Sequence, residues 1–208
     1  MLLRTVLTVA IAATISTPSV AGELFDINHR HEPAEPSAGS ATLDTAGPAE
    51  PFGTSGQEYL TISGSTTTFS TEATDLALGV AYSRFLTDDF EWINDLRVMH
   101  SNQSGDNVVA GNFRMLFRYH AINRERWTVF GDIGIGVLVA TDEIPNTGTV
   151  LNFTPTLGIG ATWSLPNSNA RLVGGVRWHH ISNARIESDR ANPSRDDAAL
   201  FFGVSFRL

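Results

Sequence analysis

The chain has 208 residues, of which 17% are charged, and a formal net charge of −8; this length suits one domain, and the charge argues against a nucleic-acid partner. It contains no cysteine, which excludes disulfide bonds, thiolate nucleophiles and cysteine-based zinc sites.

Residues 1–21 have the features of a secretory signal peptide. A positive charge at Arg4 precedes the short apolar stretch TVLTVAIAATIS, and the small residues SVA follow. Cleavage is expected after Ala21. No later segment is apolar over the roughly 20 residues that a membrane helix needs, so the mature protein is expected to leave the cytoplasm without a helical anchor.

Residues 22–56 have the composition of a flexible linker. They are rich in Pro, Ala, Gly, Ser and acidic residues and show no apolar period, so they bury too little apolar surface to offset the entropy of ordering. From Gln57 onward, apolar and polar residues alternate. Residues 57–208 are therefore predicted to form one folded domain.

The domain contains eight segments with the period of two that is typical of β-strands. In VVAGNFRMLFRYH, for example, Val109, Phe113 and Phe117 share one face, and Arg114 and Arg118 share the other. Each segment is long enough for a tilted membrane strand, which requires roughly 9–11 residues. The predicted strands span residues 57–68, 74–86, 90–100, 108–121, 126–140, 150–164, 171–182 and 197–208.

The connections between these strands alternate in length. TDD, INRE and PNSN are tight turns, whereas SNQSGDN, TDEIPNTGT and the stretch after Ser182 are longer. This alternation is typical of outer-membrane barrels, and closure pairs every backbone group that would otherwise meet lipid. The predicted fold class is all-β, an eight-stranded antiparallel transmembrane β-barrel in the bacterial outer membrane.

The polar face of the strands predicts a lumen filled with charged side chains. A barrel of about eight strands has a narrow interior, so a structural ionic network is expected there and a conducting pore is not. A soluble lipocalin-like barrel with an apolar interior is the alternative, but Trp and Tyr near the strand ends favour an interfacial girdle. The residues expected in the lumen are Asp95, Arg97, Arg114, Arg118, Asp132 and Arg177.

The seventh predicted strand ends in RWHHISN, where polar residues replace the apolar pattern. Trp178, His180 and Ser182 have the lipid-facing parity. Neighbours at positions i and i+2 of a strand lie about 6–7 Å apart, a separation that side chains can bridge. Serine and histidine together form the core of a nucleophile and base pair, which an acid orients. A polar rim without catalysis is the alternative.

The start of the eighth predicted strand supplies a candidate acid. The parity of its apolar face extends backward to Asp196, whereas Asp197 has the parity of the lumen. Because the last two strands are antiparallel neighbours, Asp196 should lie beside the end of the seventh. A slip of one residue would select Asp197, which stays open. If both termini lie in the periplasm, this group lies at the outer leaflet.

The end of the chain also carries a family resemblance. HISNA, followed by Asn192 and Pro193 and then an acid before an apolar C-terminal strand, resembles the lipid A 3-O-deacylase (PagL) family of outer-membrane enzymes. NFTPTLGIGATWSL is similar to the preceding strand in acyloxyacyl-hydrolase-like relatives. The resemblance implies an eight-stranded barrel that removes the ester-linked acyl chain at the 3 position of lipid A, with a Ser–His–acid triad and no metal or other cofactor.

Carried over by position, the resemblance implies Ser182 as nucleophile, His180 as base and Asp196 as acid. It also implies that Asn183 helps to form the oxyanion site through its backbone amide.

The chain departs from the family pattern at four positions. The family usually has Glu where Asp196 stands and often has Gly at Arg185, a position implicated in the oxyanion hole. Ser194 replaces the Gly that commonly follows Asn-Pro, and Leu208 replaces a terminal aromatic residue. The departure at Arg185 bears most directly on activity.

The expected function is therefore a serine esterase that acts on lipid A in lipopolysaccharide. Arg185 and Arg190 are candidate contacts to the lipid A phosphates, with ordinary solvated loop charge as the alternative. The competing functions are a non-enzymatic barrel with a structural or ligand-binding role, and an esterase that acts on phospholipid. Membrane lipids are expected neighbours, and the sequence leaves a homodimer open.

Overall fold

The computed structural model describes residues 50–67, 73–186 and 192–208, so the predicted signal peptide and most of the predicted linker lie outside it. Among these residues, no helix has the length and apolar character needed to cross a membrane. The strands are β1 (Glu58–Thr66), β2 (Ala73–Thr87), β3 (Phe90–Gln103), β4 (Val108–Asn123), β5 (Trp127–Ile144), β6 (Thr149–Phe153), β7 (Thr156–Ser164), β8 (Ala170–Ile181) and β9 (Arg195–Arg207).

The strands close into a barrel. Every pairing is antiparallel, and β1 is hydrogen-bonded to both β2 and β9, which joins the first strand to the last. β6 and β7 pair with the long β5 one after the other, so together they form one barrel strand. The pairing of β4 with β5 completes the circle. The predicted fold class, an eight-stranded antiparallel barrel, is confirmed.

Pro155 interrupts the barrel strand that β6 and β7 form. The register against β5 continues in step on both sides of it. Its carbonyl accepts the N–H of His180 at 3.1 Å. Proline has no N–H, so the reciprocal bond of this antiparallel pair, to the carbonyl of His180, is not made. The predicted strand over residues 150–164 is therefore one strand that lacks a single ladder bond beside His180.

Side chains alternate between a polar lumen and an apolar outer surface. In β2, for example, Leu78 is 69% exposed and its neighbour Ala77 is 7% exposed. Leu, Ile, Val and Phe dominate the exposed positions of the wall, which is the pattern of a barrel that faces lipid. A lipocalin-like barrel would have the opposite pattern, so that alternative is wrong.

The charged residues predicted for the lumen are buried and form ion pairs there. Asp132 accepts hydrogen bonds from Arg177 at 2.7 Å and from Arg118 at 3.1 Å. Asp95 is bonded to Arg114. Charges removed from water need such partners, and the predicted ionic network is confirmed. The buried members are Asp95, Arg97, Arg114, Arg118, Asp132 and Arg177.

Residues 50–57 pack over the end of the barrel where β1 begins and β9 ends, hereafter the terminal end. The ring of Phe52 packs edge-on against Phe85, with 5.3 Å between centroids, and the guanidinium of Arg171 lies 3.9 Å from the centroid of the Phe52 ring. The last residues of the predicted linker segment 22–56 therefore pack against the barrel.

The opposite end of the barrel, hereafter the distal end, carries the candidate site. Several strands extend beyond their predicted spans at this end, β3 to Gln103 and β5 to Ile144, which shortens the loops expected there. The connections at the terminal end are residues 88–89, 124–126 and 165–169, and those at the distal end are residues 67–72, 104–107, 145–148 and 182–194.

Candidate active site

His180 and Asp196 face each other across the last two strands. They are paired residues of the β8–β9 ladder, and their side chains lie on the outer surface because the adjacent His179 and Asp197 point into the lumen and are buried. His180 Nδ1 lies 2.8 Å from Asp196 Oδ1. A carboxylate can only accept, so Nδ1 carries the proton, and Nε2 of the neutral ring is left as an acceptor.

Trp178 is the third member of this cluster. Its indole Nε1 donates to the same oxygen, Asp196 Oδ1, at 2.8 Å. Its ring stacks on the His180 imidazole with 5.6 Å between centroids and an angle of 30°. The sequence did not predict this contact between Trp178 and Asp196. The one sequence feature that pointed to it is that Trp178 shares the lipid-facing parity of His180.

Ser182 continues the wall just beyond the end of β8. Its N–H donates to the carbonyl of Phe153 at 3.1 Å, and its carbonyl accepts the Phe153 N–H at 2.7 Å. This pairing keeps the strand pleat through Ser182, so its side chain emerges on the same face as that of His180, about 6–7 Å along the strand. Within the described part of the chain, the Ser182 hydroxyl makes no hydrogen bond. The structure therefore brings His180 and Asp196 into contact and places Ser182 near them without a bond.

A tight turn follows Ser182. The N–H of Ile186 donates to the carbonyl of Asn183 at 3.2 Å, and the two central residues, Ala184 and Arg185, have φ angles of 52° and 62°. Positive φ at both central positions is the signature of a type I′ turn, which glycine and asparagine favour. Glycine at position 185 would adopt this turn with less strain than arginine.

The backbone amide of Asn183 already has a partner. It donates to the side-chain oxygen Oδ1 of Asn192 at 2.9 Å, a contact that sequence reasoning missed. The oxyanion role predicted for this amide stays a prediction, and it requires the amide to exchange Asn192 for a substrate oxygen.

The alternative acid, Asp197, does not join this cluster. Asp197, the alternative acid, is 5% exposed and its Oδ2 lies 2.8 Å from Arg195 Nε in the lumen, so it lies on the wrong side of the wall to pair with His180. Arg185 is exposed on the turn that follows Ser182. Arg190 lies outside the described residues.

Comparison with known proteins gives a consistent result. The sequence model of the family "Lipid A 3-O-deacylase (PagL)" matches residues 59–205. The crystal structure of the outer membrane enzyme PagL is similar, with a TM-score of 0.53 and 21% identity over 69% of this chain and 97% of that chain. No curated protein sequence matches the chain.

Two further outer-membrane proteins have similar folds. OprG from Pseudomonas aeruginosa matches with a TM-score of 0.50 and 12% identity, covering 76% of this chain and 99% of that chain. Neisserial surface protein A (NspA) matches with a TM-score of 0.51 and 9% identity, covering 73% and 95%. These likenesses show a shared fold and, together with the family, a location in the bacterial outer membrane. The family match extends from β1 to β9 and includes His180 and Ser182, so the chain belongs to the lipid A 3-O-deacylase (PagL) family.

Proposed function

We propose that this protein is a serine esterase that removes the 3-O-linked acyl chain of lipid A. The observation that carries the proposal is the pairing of His180 with Asp196 on the lipid-facing surface of the wall, two residues from Ser182. Polar side chains facing lipid are unfavourable unless they have partners or a function. Membership of the PagL family supports the class of substrate.

In the proposed reaction, His180 Nε2 removes the proton of Ser182 Oγ as that oxygen attacks the ester carbonyl carbon. The tetrahedral intermediate then collapses, the bond between the carbonyl carbon and the sugar oxygen breaks, and the imidazolium gives its proton to that oxygen, which leaves as a hydroxyl group. A water molecule, deprotonated by His180, then attacks the acyl carbon; the bond to Ser182 Oγ breaks, that oxygen takes the proton back from His180, and the fatty acid is released. Asp196 holds the imidazole in orientation and stabilises its charged form.

One local feature supports this sequence of steps. The Ser182 side chain has no competing hydrogen bond among the described residues, so it can rotate toward His180 when substrate is bound. Hydrogen bonds between catalytic groups often tighten only in the substrate complex. The proposed oxyanion donor is the Asn183 amide, and such a donor typically contributes about 3 kcal/mol to transition-state stabilisation.

The position of the site suits a substrate that is already in the membrane. With both barrel termini in the periplasm, the distal end lies at the outer leaflet, where lipid A is concentrated. The ester then approaches Ser182 from the lipid side and never enters the lumen. Arg185 and Arg190 are proposed contacts to the lipid A phosphates, because guanidinium groups bind phosphate in a bidentate geometry.

The proposal is tested on lipid A extracted from cells that express the protein. Mass spectrometry should show lipid A that has lost one hydroxyacyl chain, which vector-only cells retain. Unchanged lipid A together with lysophospholipid would assign the esterase to phospholipid instead. Unchanged lipid A and phospholipid would contradict an enzymatic function and favour a barrel with a structural or binding role.

Asp196→Ala is expected to lower kcat for deacylation by about 100-fold, because the imidazole loses the carboxylate that orients it. The barrel should remain folded, since the Asp196 side chain is 57% exposed. The comparison is Asp197→Ala, which removes a lumen carboxylate that is ion-paired with Arg195. It should lower stability, while kcat of the folded fraction should change by less than about 2-fold. If kcat depended on Asp197 and not on Asp196, the proposed assignment of Asp196 as the acid would be wrong.

A further inference from the structure

We propose that Trp178 is a positioning residue for Asp196, and this inference rests on the proposed esterase function. The indole N–H and the His180 ring both bond to Asp196 Oδ1, each at 2.8 Å. One oxygen of the carboxylate is therefore held from two directions. The indole fixes the carboxylate, and the carboxylate in turn fixes the imidazole that activates Ser182.

Asp196 needs such support because of where it lies. It follows Arg195, the first residue of β9, and its side chain is largely exposed. Among the described residues, its side-chain hydrogen bonds are those with His180 and Trp178 alone. Without the indole, the carboxylate can rotate away from the imidazole and exchange that partner for water.

The ladder explains how the indole reaches the carboxylate. Trp178 lies opposite Ala198, and His180 lies opposite Asp196, one pleat further toward the distal end. Trp178 and Asp196 are therefore diagonal neighbours, which long aromatic side chains can bridge. The small side chain of Ala198 leaves room for the indole to cross between strands, and stacking on the imidazole holds the ring in that direction.

An interfacial anchor is the other role that an outward-facing tryptophan has in a membrane barrel. Trp163 provides the comparison within this chain. It is also outward-facing, at 54% exposure, but its indole has no hydrogen bond to any described residue. Substitution of Trp163 therefore removes an anchor alone, whereas substitution of Trp178 removes a hydrogen bond to Asp196 as well.

The test is a double-mutant cycle in purified protein in detergent micelles, with kcat and KM for fatty acid release measured separately. Trp178→Phe keeps the ring and removes the N–H, and kcat should fall about 10-fold with KM changed by less than about 2-fold. Trp163→Phe should leave both constants unchanged. In the Asp196→Ala background, Trp178→Phe should have no further effect, because a residue that acts only through Asp196 has nothing left to position.

Three outcomes of the cycle would overturn the inference: an unchanged kcat in Trp178→Phe, an equal loss in Trp163→Phe, or the same fold loss in the presence and absence of Asp196. If the first outcome came with a rise in KM, Trp178 would be assigned to substrate binding instead.

A second measurement separates failure of this inference from failure of the proposed function. Relative to the wild-type spectrum, the ¹⁵N–¹H resonance of the Trp178 indole should shift in Asp196→Ala. The His180 ring resonances should shift in Trp178→Phe. Both shifts are expected whether or not lipid A is hydrolysed. Inactive wild-type protein with these coupled shifts would contradict the esterase proposal alone. Resonances that do not move would contradict the positioning role.

Discussion

Ser182→Ala should abolish lipid A deacylation, with a loss of at least about 10⁴-fold in kcat. The substitution removes the only oxygen through which the proposed acyl-enzyme forms, and a neighbouring water lacks the alignment to replace it. Folding should not change, because the backbone bonds between Ser182 and Phe153 do not involve the hydroxyl. The measurement is fatty acid release from lipid A by purified protein, with barrel integrity checked by heat-modifiable gel mobility.

The matched control is Ser164→Ala at the terminal end of the barrel. The Ser164 hydroxyl donates only to the carbonyl of Arg126, so this variant should deacylate lipid A at the wild-type rate. A folded Ser182→Ala protein that retains activity would show that the nucleophile is another residue. His180→Asn is expected to be equally inactive, because it removes the base and leaves Ser182 in place.

Asp132→Ala should lower the free energy of unfolding by about 3–5 kcal/mol, because it leaves two buried guanidinium groups without their shared carboxylate. Arg118 would retain Glu91 at 3.3 Å. Arg177 would lose both of its hydrogen bonds to Asp132, and it has no other carboxylate partner among the described residues. Urea unfolding of the barrel in phospholipid vesicles, followed by tryptophan fluorescence, measures the change.

Asp106→Ala is the control for this substitution, since Asp106 is exposed in a distal loop and its loss should change the unfolding free energy by less than about 0.5 kcal/mol. A loss below about 1 kcal/mol for Asp132→Ala would mean that water or the lipid headgroups compensate the two arginines. The ion pairs of the lumen would then contribute little to stability.

The wall of the barrel was predictable because one physical rule determines it. Lipid on one side and a crowded polar lumen on the other impose a period of two on every strand, and positions such as Leu78 and Arg114 then follow from parity alone. The rule does not extend to segments outside the wall. Phe52 lies in a stretch rich in Pro, Gly and acid, and its packing against Phe85 depends on a barrel that the local sequence does not describe.

The candidate site was predictable to the same extent. Parity distinguished Asp196 from Asp197 and placed it beside His180, because only side chains on one face of a sheet can meet. The contacts that depend on reach and rotamer were not predictable. The indole of Trp178 crosses diagonally between strands, and Asn192 returns from a loop to accept the Asn183 amide; neither follows from a period.

The two aspartates near the start of β9 limit which changes of sequence this part of the barrel can accept. Asp196 and Asp197 are consecutive in the chain, yet one belongs to the proposed chemistry and the other to the ionic interior. Deletion of the residue that follows Asp197 would shift both aspartates by one position along β9 and turn Asp196 into the lumen and Asp197 outward. His180 would then lose its carboxylate partner, and the ion pair between Asp197 and Arg195 would leave the lumen. Substitutions can therefore change the proposed active site and the ionic lumen separately, whereas a one-residue deletion at this point would damage both together.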